Sequence, residues 1–213
     1  MLAFFFFAIS PFAWRGFSRF RVKRLLKYVR FCGIMFYHQE EVADMGKIYF
    51  IADTHFGEER IRKYENRPFE STADMDCELI RRWNNKVRPE DTVYLLGDVG
   101  ADGYESKILA KLNGRKILVK GNHDTKSNEE YRSFGFCEVY DFPIIIDGFW
   151  ILSHDALYVN ENMPYANLFG HVHNSPIVKD YSKQHYCVSV ERIDYTPIDF
   201  AEIKATIARL CKE

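Results

Sequence analysis

Apolar runs alternate with amphipathic segments along most of the chain. Runs of four to six mainly apolar residues predict β-strands at residues 47–52, 92–96 and 116–119. Helical spacing between these runs predicts helices at residues 73–87 and 107–112, the second of which ends at Asn113-Gly114. Strands that alternate with helices indicate βαβ units and a sheet that is at least partly parallel.

The pattern changes after a predicted helix at residues 127–134. Five short apolar runs predict further strands at residues 138–140, 143–146, 149–152, 166–169 and 186–190. Asp147-Gly148 lies between two of these strands and is typical of a tight hairpin turn. A last amphipathic segment predicts a helix at residues 199–210. The whole pattern is that of an α/β fold whose βαβ units come first.

The first 44 residues differ from the rest in pattern and charge. An apolar run occupies residues 2–14, and Val22, Leu25, Leu26 and Val29 follow at helical spacing, which predicts an amphipathic basic helix. Residues 1–45 hold seven basic and three acidic residues, a net charge of +4, whereas the remainder holds 22 and 27, a net charge of −5. We therefore divide the chain into an extension, residues 1–44, and a domain, residues 45–213.

Three interpretations of this extension stay open. Its basic and apolar faces suit a helix that lies on an anionic membrane surface, so a membrane is an expected partner if the extension is native. A targeting peptide is the second interpretation. In the third, the extension is not part of the natural protein, because Met45-Gly46-Lys47 looks like the beginning of a domain that opens on its first strand. None of the predicted catalytic residues lies in it.

The composition of the 213-residue chain is that of a folded globular protein. With 47% hydrophobic and 28% charged residues, it is neither disordered, collagen-like nor a coiled coil. Its five cysteines are scattered and contain no C-x-x-C motif, which argues against a disulfide framework or a cysteine-based zinc site. We expect a reducing, cytoplasmic location.

Metal-ligating side chains follow the predicted strands. Five of the seven histidines lie within a set of five short motifs at strand ends. Because active sites of open α/β sheets collect at the carboxyl ends of strands, we expect these side chains to form one site. The motifs are Asp53-Thr54-His55, Gly97-Asp98, Gly121-Asn122-His123-Asp124, Ser153-His154 and Gly170-His171-Val172-His173.

In this order, the motifs resemble those of the calcineurin-like metallophosphoesterase superfamily, and the resemblance covers residues 46–213. Asn66-Arg67-Pro68-Phe69 and Val188-Ser189-Val190-Glu191 resemble a small single-domain branch from bacteria and phages. The resemblance implies a two-sheet β-sandwich of mixed strands flanked by helices. The chain departs from that branch where it has Glu58, Asp155-Ala156 and Cys187 in place of His, Tyr-Pro and Asn, which leaves its substrate preference open.

The resemblance also implies a binuclear metal centre that hydrolyses phosphate mono- or diesters. One ion would be held by Asp53, His55, Asp98 and His173, and the other by Asp98, Asn122, His154 and His171. Mixed imidazole and oxygen ligands suit manganese, which we take as the expected ion, and also iron, zinc or nickel. A hydroxide between the two ions would attack phosphorus while the ions neutralise the phosphate oxygens.

Two further residues follow the predicted ligand Asn122. The resemblance implies that His123 is the general acid that protonates the leaving alkoxide. Asp124 either orients the His123 ring or is the N-cap of the next helix.

A substrate-binding residue is predicted in the polar stretch after the first motif. Arg67 would clamp a phosphate with its guanidinium, because Pro68 and Phe69 stiffen the loop around it. The net charge of −5 argues against extended nucleic acid as a partner, so we expect a small or exposed phosphoester. The alternative function is a non-catalytic protein-binding scaffold on the same fold, although a scaffold should have lost some of the ligands that this chain retains.

Overall fold

The computed structural model describes residues 22–31, 34–43, 46–176 and 182–212. The chain divides into two compact units, Met1–Asp44 and Met45–Glu213. The apolar run at residues 2–14 lies outside the described residues. Among the helices of the described part, none has the length and apolar character needed to cross a membrane.

The described part of the first unit is an antiparallel β-hairpin. Strand β1 (Val22–Phe31) pairs with β2 (Ile34–Ala43) along its whole length. The amphipathic helix predicted here is therefore wrong. Helical spacing reports only the local sequence, whereas the hairpin pairs the backbone with a second segment that is equally rich in residues that favour strands.

Five strands form the first sheet of the second unit. Its parallel strands, in spatial order, are β3 (Ile48–Ile51), β4 (Thr92–Leu95), β5 (Arg115–Val119) and β6 (Glu138–Tyr140). A two-residue strand, β11 (Ile198–Asp199), pairs antiparallel with β3 and was not predicted. The partly parallel sheet predicted from the sequence is confirmed.

Four strands form the second sheet. In chain order they are β7 (Ile144–Ile146), β8 (Trp150–Leu152), β9 (Ala166–Phe169) and β10 (His185–Cys187). β7 and β8 form the predicted antiparallel hairpin, and β8, β9 and β10 are parallel neighbours. β10 ends before the predicted strand does, since Ser189 forms a parallel bridge with Ala52 instead and Val190–Arg192 forms a 3₁₀ turn.

Five α-helices are present in the described residues. They are α1 (Glu59–Tyr64), α2 (Thr72–Lys86), α3 (Glu105–Leu109), α4 (Asn128–Phe134) and α5 (Phe200–Leu210). Ser71 caps α2, and Ser127 forms a capping box with Glu130 at α4, as the sequence of each helix start favours. α1 was not predicted from the sequence. None of its six residues is buried, so it lacks the apolar face that marks an amphipathic helix.

Two hydrophobic cores hold the second unit together. Phe50 of β3 packs with Leu168 of the second sheet and Ile203 of α5 in the core between the sheets. Ile51, the next residue of β3, points to the opposite face and joins Trp83 of α2 in the other core. Two mixed sheets flanked by helices confirm the predicted fold class.

A buried carboxylate ties the start of β3 to the loop before β4. Asp91 accepts hydrogen bonds from the backbone N–H groups of Lys47 (2.8 Å) and Arg88 (2.8 Å) and from the Arg88 guanidinium (3.1 Å). Burial raises the pKa of Asp91, but these donors outweigh burial and hold the pKa below its usual value of 3.8.

Candidate metal centre

The seven predicted ligands lie in the loops after β3, β4, β5, β8 and β9. Hydrogen bonds connect several of these loops. The backbone N–H groups of Asp53 and His55 donate to the carbonyls of Gly97 and Asp98, each over 3.0 Å. The N–H of His171 donates to the carboxylate of Asp53 over 2.9 Å. The structure thus brings together side chains that the sequence places at separate strand ends.

Five of these side chains project from a left-handed backbone that residues other than glycine rarely adopt. The φ angles are +58°, +46°, +57°, +67° and +46° for Asp53, His55, Asp98, His171 and His173. Each such conformation costs on the order of 1 kcal/mol or more. Strain repeated at five predicted ligands points to a functional requirement for these turns.

The first group of candidate ligands is Asp53, His55 and His173, whose ligand atoms lie within 4.8 Å of one another. Glu58 Oε1 is 3.1 Å from His55 Nδ1, and Glu191 Oε1 is 3.0 Å from His173 Nδ1. Because each carboxylate accepts from Nδ1–H, the neutral ring keeps its lone pair on Nε2. Within the described residues the buried Nε2 of His55 has no hydrogen-bond partner, which fits a cation at that position.

The second group is Asp98, His154 and His171. Asp98 Oδ2 lies 3.4 Å from His154 Nε2 and 3.5 Å from His55 Nε2, between the two groups. Asn122 Oδ1 is 2.9 Å from His154 Nε2 and 3.1 Å from His171 Nδ1. These donor atoms fit a second cation, with Asp98 shared between the two.

The electrostatics of the second group depend on Asp98. Burial raises the pKa of Asp98, but His154 and the backbone N–H of His123 outweigh it and lower the pKa to about 2. Burial lowers the pKa of His154, but Asp98 and Asp53 outweigh it and raise the pKa to about 9. Asp98 is therefore a buried anion near neutral pH and favours a positive partner.

His123 faces an open cavity beside both groups. The cavity has a volume of about 450 Å³ and is lined by candidate ligands, by His123 and by Tyr64, a residue that is 79% exposed. The His123 ring packs edge-on against the His55 ring with centroids 5.1 Å apart, and its backbone N–H donates to Asp98 Oδ1 over 3.0 Å. His123 is thus held next to the candidate ligands while its ring stays accessible.

Asp124 joins the loop after β4 to the loop after β5. Its Oδ2 accepts from the backbone N–H groups of Asp98 (2.7 Å) and Gly121 (2.9 Å). Its Oδ1 accepts from the N–H of Val99 (3.2 Å) and the hydroxyl of Tyr131 (3.4 Å). Burial raises the pKa of Asp124, and the N–H donors oppose that rise.

Neither role predicted for Asp124 matches this placement. Ser127 is the N-cap of α4, so the capping prediction is wrong. The hydrogen bonds of the Asp124 carboxylate go to backbone groups and to Tyr131, so this carboxylate does not orient the His123 ring.

Arg67 is buried, which contradicts its predicted contact with substrate. Its side chain is 0% exposed and does not line the cavity. The guanidinium donates to the backbone carbonyls of Asp53 (2.6 Å) and Thr54 (2.9 Å) and to the carboxylate of Glu191 (2.9 Å). Because its N–H groups donate to these buried acceptors, Arg67 stabilises the loop that carries the candidate ligands and does not face the cavity.

Two carboxylates of the site were not predicted. Glu58 follows His55 by three positions, and this spacing was the available signal; it is also one of the departures from the branch pattern. Glu191 lies 18 residues after His173, so no local spacing indicates their contact. A second departure, Asp155, lies 3.6 Å from His171 Nε2 through its Oδ1.

The fold and the converging aspartate and histidine side chains define a metal-dependent phosphoesterase. A family model described as calcineurin-like phosphoesterase matches residues 46–200, and the chain belongs to that family. The resemblance drawn from the strand-end motifs is confirmed.

The relatives include small archaeal and phage proteins. The chain is 38% identical over 160 residues to an uncharacterized protein of Methanocaldococcus jannaschii, covering 72% of this chain and 87% of that protein. It is 31% identical over 85 residues to the gene 66 protein of Mycobacterium phage L5, covering 38% and 41%. A crystal structure of a protein of unknown function from Aquifex aeolicus is similar with a TM-score of 0.60 and 29% identity, covering 75% of this chain and 98% of that one.

Proposed function

We propose that this protein hydrolyses phosphate monoesters or diesters at a centre of two divalent cations, with manganese as the expected ion. The observation that carries the proposal is the position of Asp98, whose Oδ2 lies within 3.5 Å of imidazole nitrogens from both ligand groups. A carboxylate placed between two ligand sets can serve both, which suits a pair of neighbouring cations.

The ligand sets follow from the two groups. Asp53, His55, Asp98 and His173 would hold one cation, and Asp98, Asn122, His154 and His171 would hold the other. When bound, the two cations would activate water as the nucleophile and neutralise the phosphate oxygens.

In this proposal His123 supplies the proton that the leaving oxygen needs. Histidine can carry and release a proton near neutral pH, and general acids of this kind contribute about 10²- to 10⁴-fold to the rate. The ring borders the cavity that gives access to Asp98, so an ester bound there would lie next to it.

The cavity suits a small or exposed phosphoester. Among the described residues that line it, Asp98 and Glu65 are acidic and none is lysine or arginine. A long nucleic-acid strand needs cationic contacts to its successive phosphates, so it is not the expected substrate. All residues of the proposed site lie within residues 45–213, which we take as the catalytic domain.

The test is the hydrolysis of an aryl phosphomonoester and the matching diester by metal-stripped protein, with and without added Mn²⁺. Turnover should require Mn²⁺ and should be lost in Asp98→Ala. His123→Ala should be slower by about 10²- to 10⁴-fold, and by more for esters with poor leaving groups, because those depend most on protonation. Asp102→Ala is the matched control, since the Asp102 side chain is 90% exposed.

The outcomes separate the hypotheses. Metal-dependent turnover that persists in Asp98→Ala would contradict the shared ligand. No turnover of either ester by protein that binds two cations would indicate a narrower substrate. Protein that binds no cation would favour the scaffold alternative. The same assay on protein that starts at Met45 should give equal turnover.

A further inference from the structure

We propose that Arg67 and Glu191 are positioning residues for the first cation site, with Glu191 orienting the imidazole of His173. The inference rests on the proposed metal centre and deepens it. It concerns two motifs that the hydrolytic mechanism leaves unused, residues 66–69 and residues 188–191, which the fold brings into contact.

Arg67 connects Glu191 to the loop that carries two candidate ligands. Its Nε donates to Glu191 Oε1 over 2.9 Å, across 124 residues of sequence. Its Nη2 donates to the carbonyl of Asp53 over 2.6 Å, and its Nη1 donates to the carbonyl of Thr54 over 2.9 Å. Each of the three guanidinium nitrogens bonds a different acceptor, whereas a lysine ammonium would have to reach all three acceptors from a single nitrogen.

These bonds act on a strained loop. Asp53 and His55 flank Thr54 and both have positive φ angles, +58° and +46°. Anchoring the intervening carbonyls holds the loop in this conformation, because any relaxation would break hydrogen bonds of a buried guanidinium. Arg67 therefore keeps two ligand side chains aimed at the site.

Glu191 acts on the third candidate ligand of the same group. Its Oε1 accepts from His173 Nδ1 over 3.0 Å, and its side chain is 3% exposed. This bond fixes the ring rotation and leaves the Nε2 lone pair for a cation. The charge of Arg67 compensates the buried carboxylate, so one ion pair supports Asp53, His55 and His173 together.

The test is Mn²⁺ binding to metal-stripped full-length protein, measured by titration calorimetry on wild type, Glu191→Gln and Arg67→Lys. Loss of such supporting contacts typically lowers metal affinity about 10- to 100-fold. Because both residues support the first site only, we expect that loss for one of the two ions in both variants. Glu78→Gln is the matched control, because Glu78 also pairs with arginines but lies on the surface of α2.

Two further readouts separate positioning from a merely structural role. Thermal unfolding of the metal-free proteins shows whether each variant folds. The ¹⁵N chemical shifts of the His173 ring report its tautomer, which should be Nδ1–H in wild type and mixed in Glu191→Gln.

The outcomes are distinct. Weaker Mn²⁺ binding together with a mixed His173 tautomer in folded Glu191→Gln supports the inference. Unchanged affinity, or reduced stability without loss of affinity, would overturn it and leave the proposed function intact. Failure of the wild type to bind Mn²⁺ would overturn the proposed function and this inference with it.

Discussion

The buried carboxylate of Asp124 allows a quantitative test of how the site is built. It accepts hydrogen bonds from three backbone N–H groups in the loops after β4 and β5 and from the hydroxyl of Tyr131 in α4. Asp124→Ala would leave the three N–H groups without their acceptor.

The expected magnitude follows from these bonds. An unsatisfied buried donor costs about 1–3 kcal/mol, and such costs add incompletely because water can enter the space left by the side chain. We therefore expect Asp124→Ala to lower the free energy of unfolding by about 3–5 kcal/mol. The loss should be accompanied by weaker Mn²⁺ binding, since the Asp98 loop is one of those released.

Asp124→Asn should be milder for a geometric reason. Its single amide oxygen can still accept from Asp98 and Gly121, whereas its NH₂ group would then face the Val99 N–H. Tyr131 can rotate its hydroxyl to accept instead of donate. One donor is left unsatisfied, so we expect a loss of about 1–3 kcal/mol.

The assay is urea unfolding of the metal-free proteins, monitored by circular dichroism. The variants can be compared if the free energy of unfolding falls with urea concentration at the same slope in each. Asp141→Ala is the control, because Asp141 also bonds to two neighbouring side chains but its own side chain is 48% exposed. A loss below about 1 kcal/mol for Asp124→Ala, or equal losses for Ala and Asn, would show that the hydrogen bonds of this carboxylate do not stabilise the two loops.

Three further predictions concern stability and substrate. Because folding lowers the pKa of Asp91, its carboxylate stabilises the folded state above about pH 4, and this stabilisation is lost as the pH falls through the pKa of the folded protein. Asp91→Asn should thus lower the free energy of unfolding by about 2 kcal/mol at pH 7 and by less at pH 3, as measured by urea unfolding. Gly97→Ala, at φ +89°, would place Cβ 2.4 Å from Nδ1 of the candidate ligand His154, so it should lower the free energy of unfolding by roughly 3 kcal/mol or more in the same assay. Gly103→Ala, at φ +76° with open space around it, should show only the smaller cost of the backbone conformation. Tyr64→Ala should lower kcat/KM for an aryl phosphoester about tenfold through lost stacking, whereas the equally exposed Tyr158 is outside the cavity and its Ala variant should match wild type.

Much of the second unit was predictable because its elements are encoded by local pattern. Strands β3, β4 and β5 are apolar runs of the right length, and the β7–β8 hairpin is marked by Asp147-Gly148. The hairpin of the first unit was not predictable in this way, because its pairing with a second segment overrides the helical spacing of the first.

The strand-end motifs alone indicate which side chains lie close together in the folded protein. Aspartate and histidine follow successive strands, and the strand ends of an α/β fold converge, so the amino-acid sequence is enough to identify the candidate ligands. The roles of the residues around them depended on tertiary structure.

Only the folded chain shows what Arg67, Glu191 and Asp124 contact. Arg67 and Glu191 are 124 residues apart, and Asp124 accepts from N–H groups in a loop 26 positions earlier. A ligand motif is local because a tight turn presents adjacent side chains together. The residues that hold such turns in place come from whichever segment packs against them in the folded chain. Their contacts follow no regular spacing in the sequence, so they cannot be predicted from it.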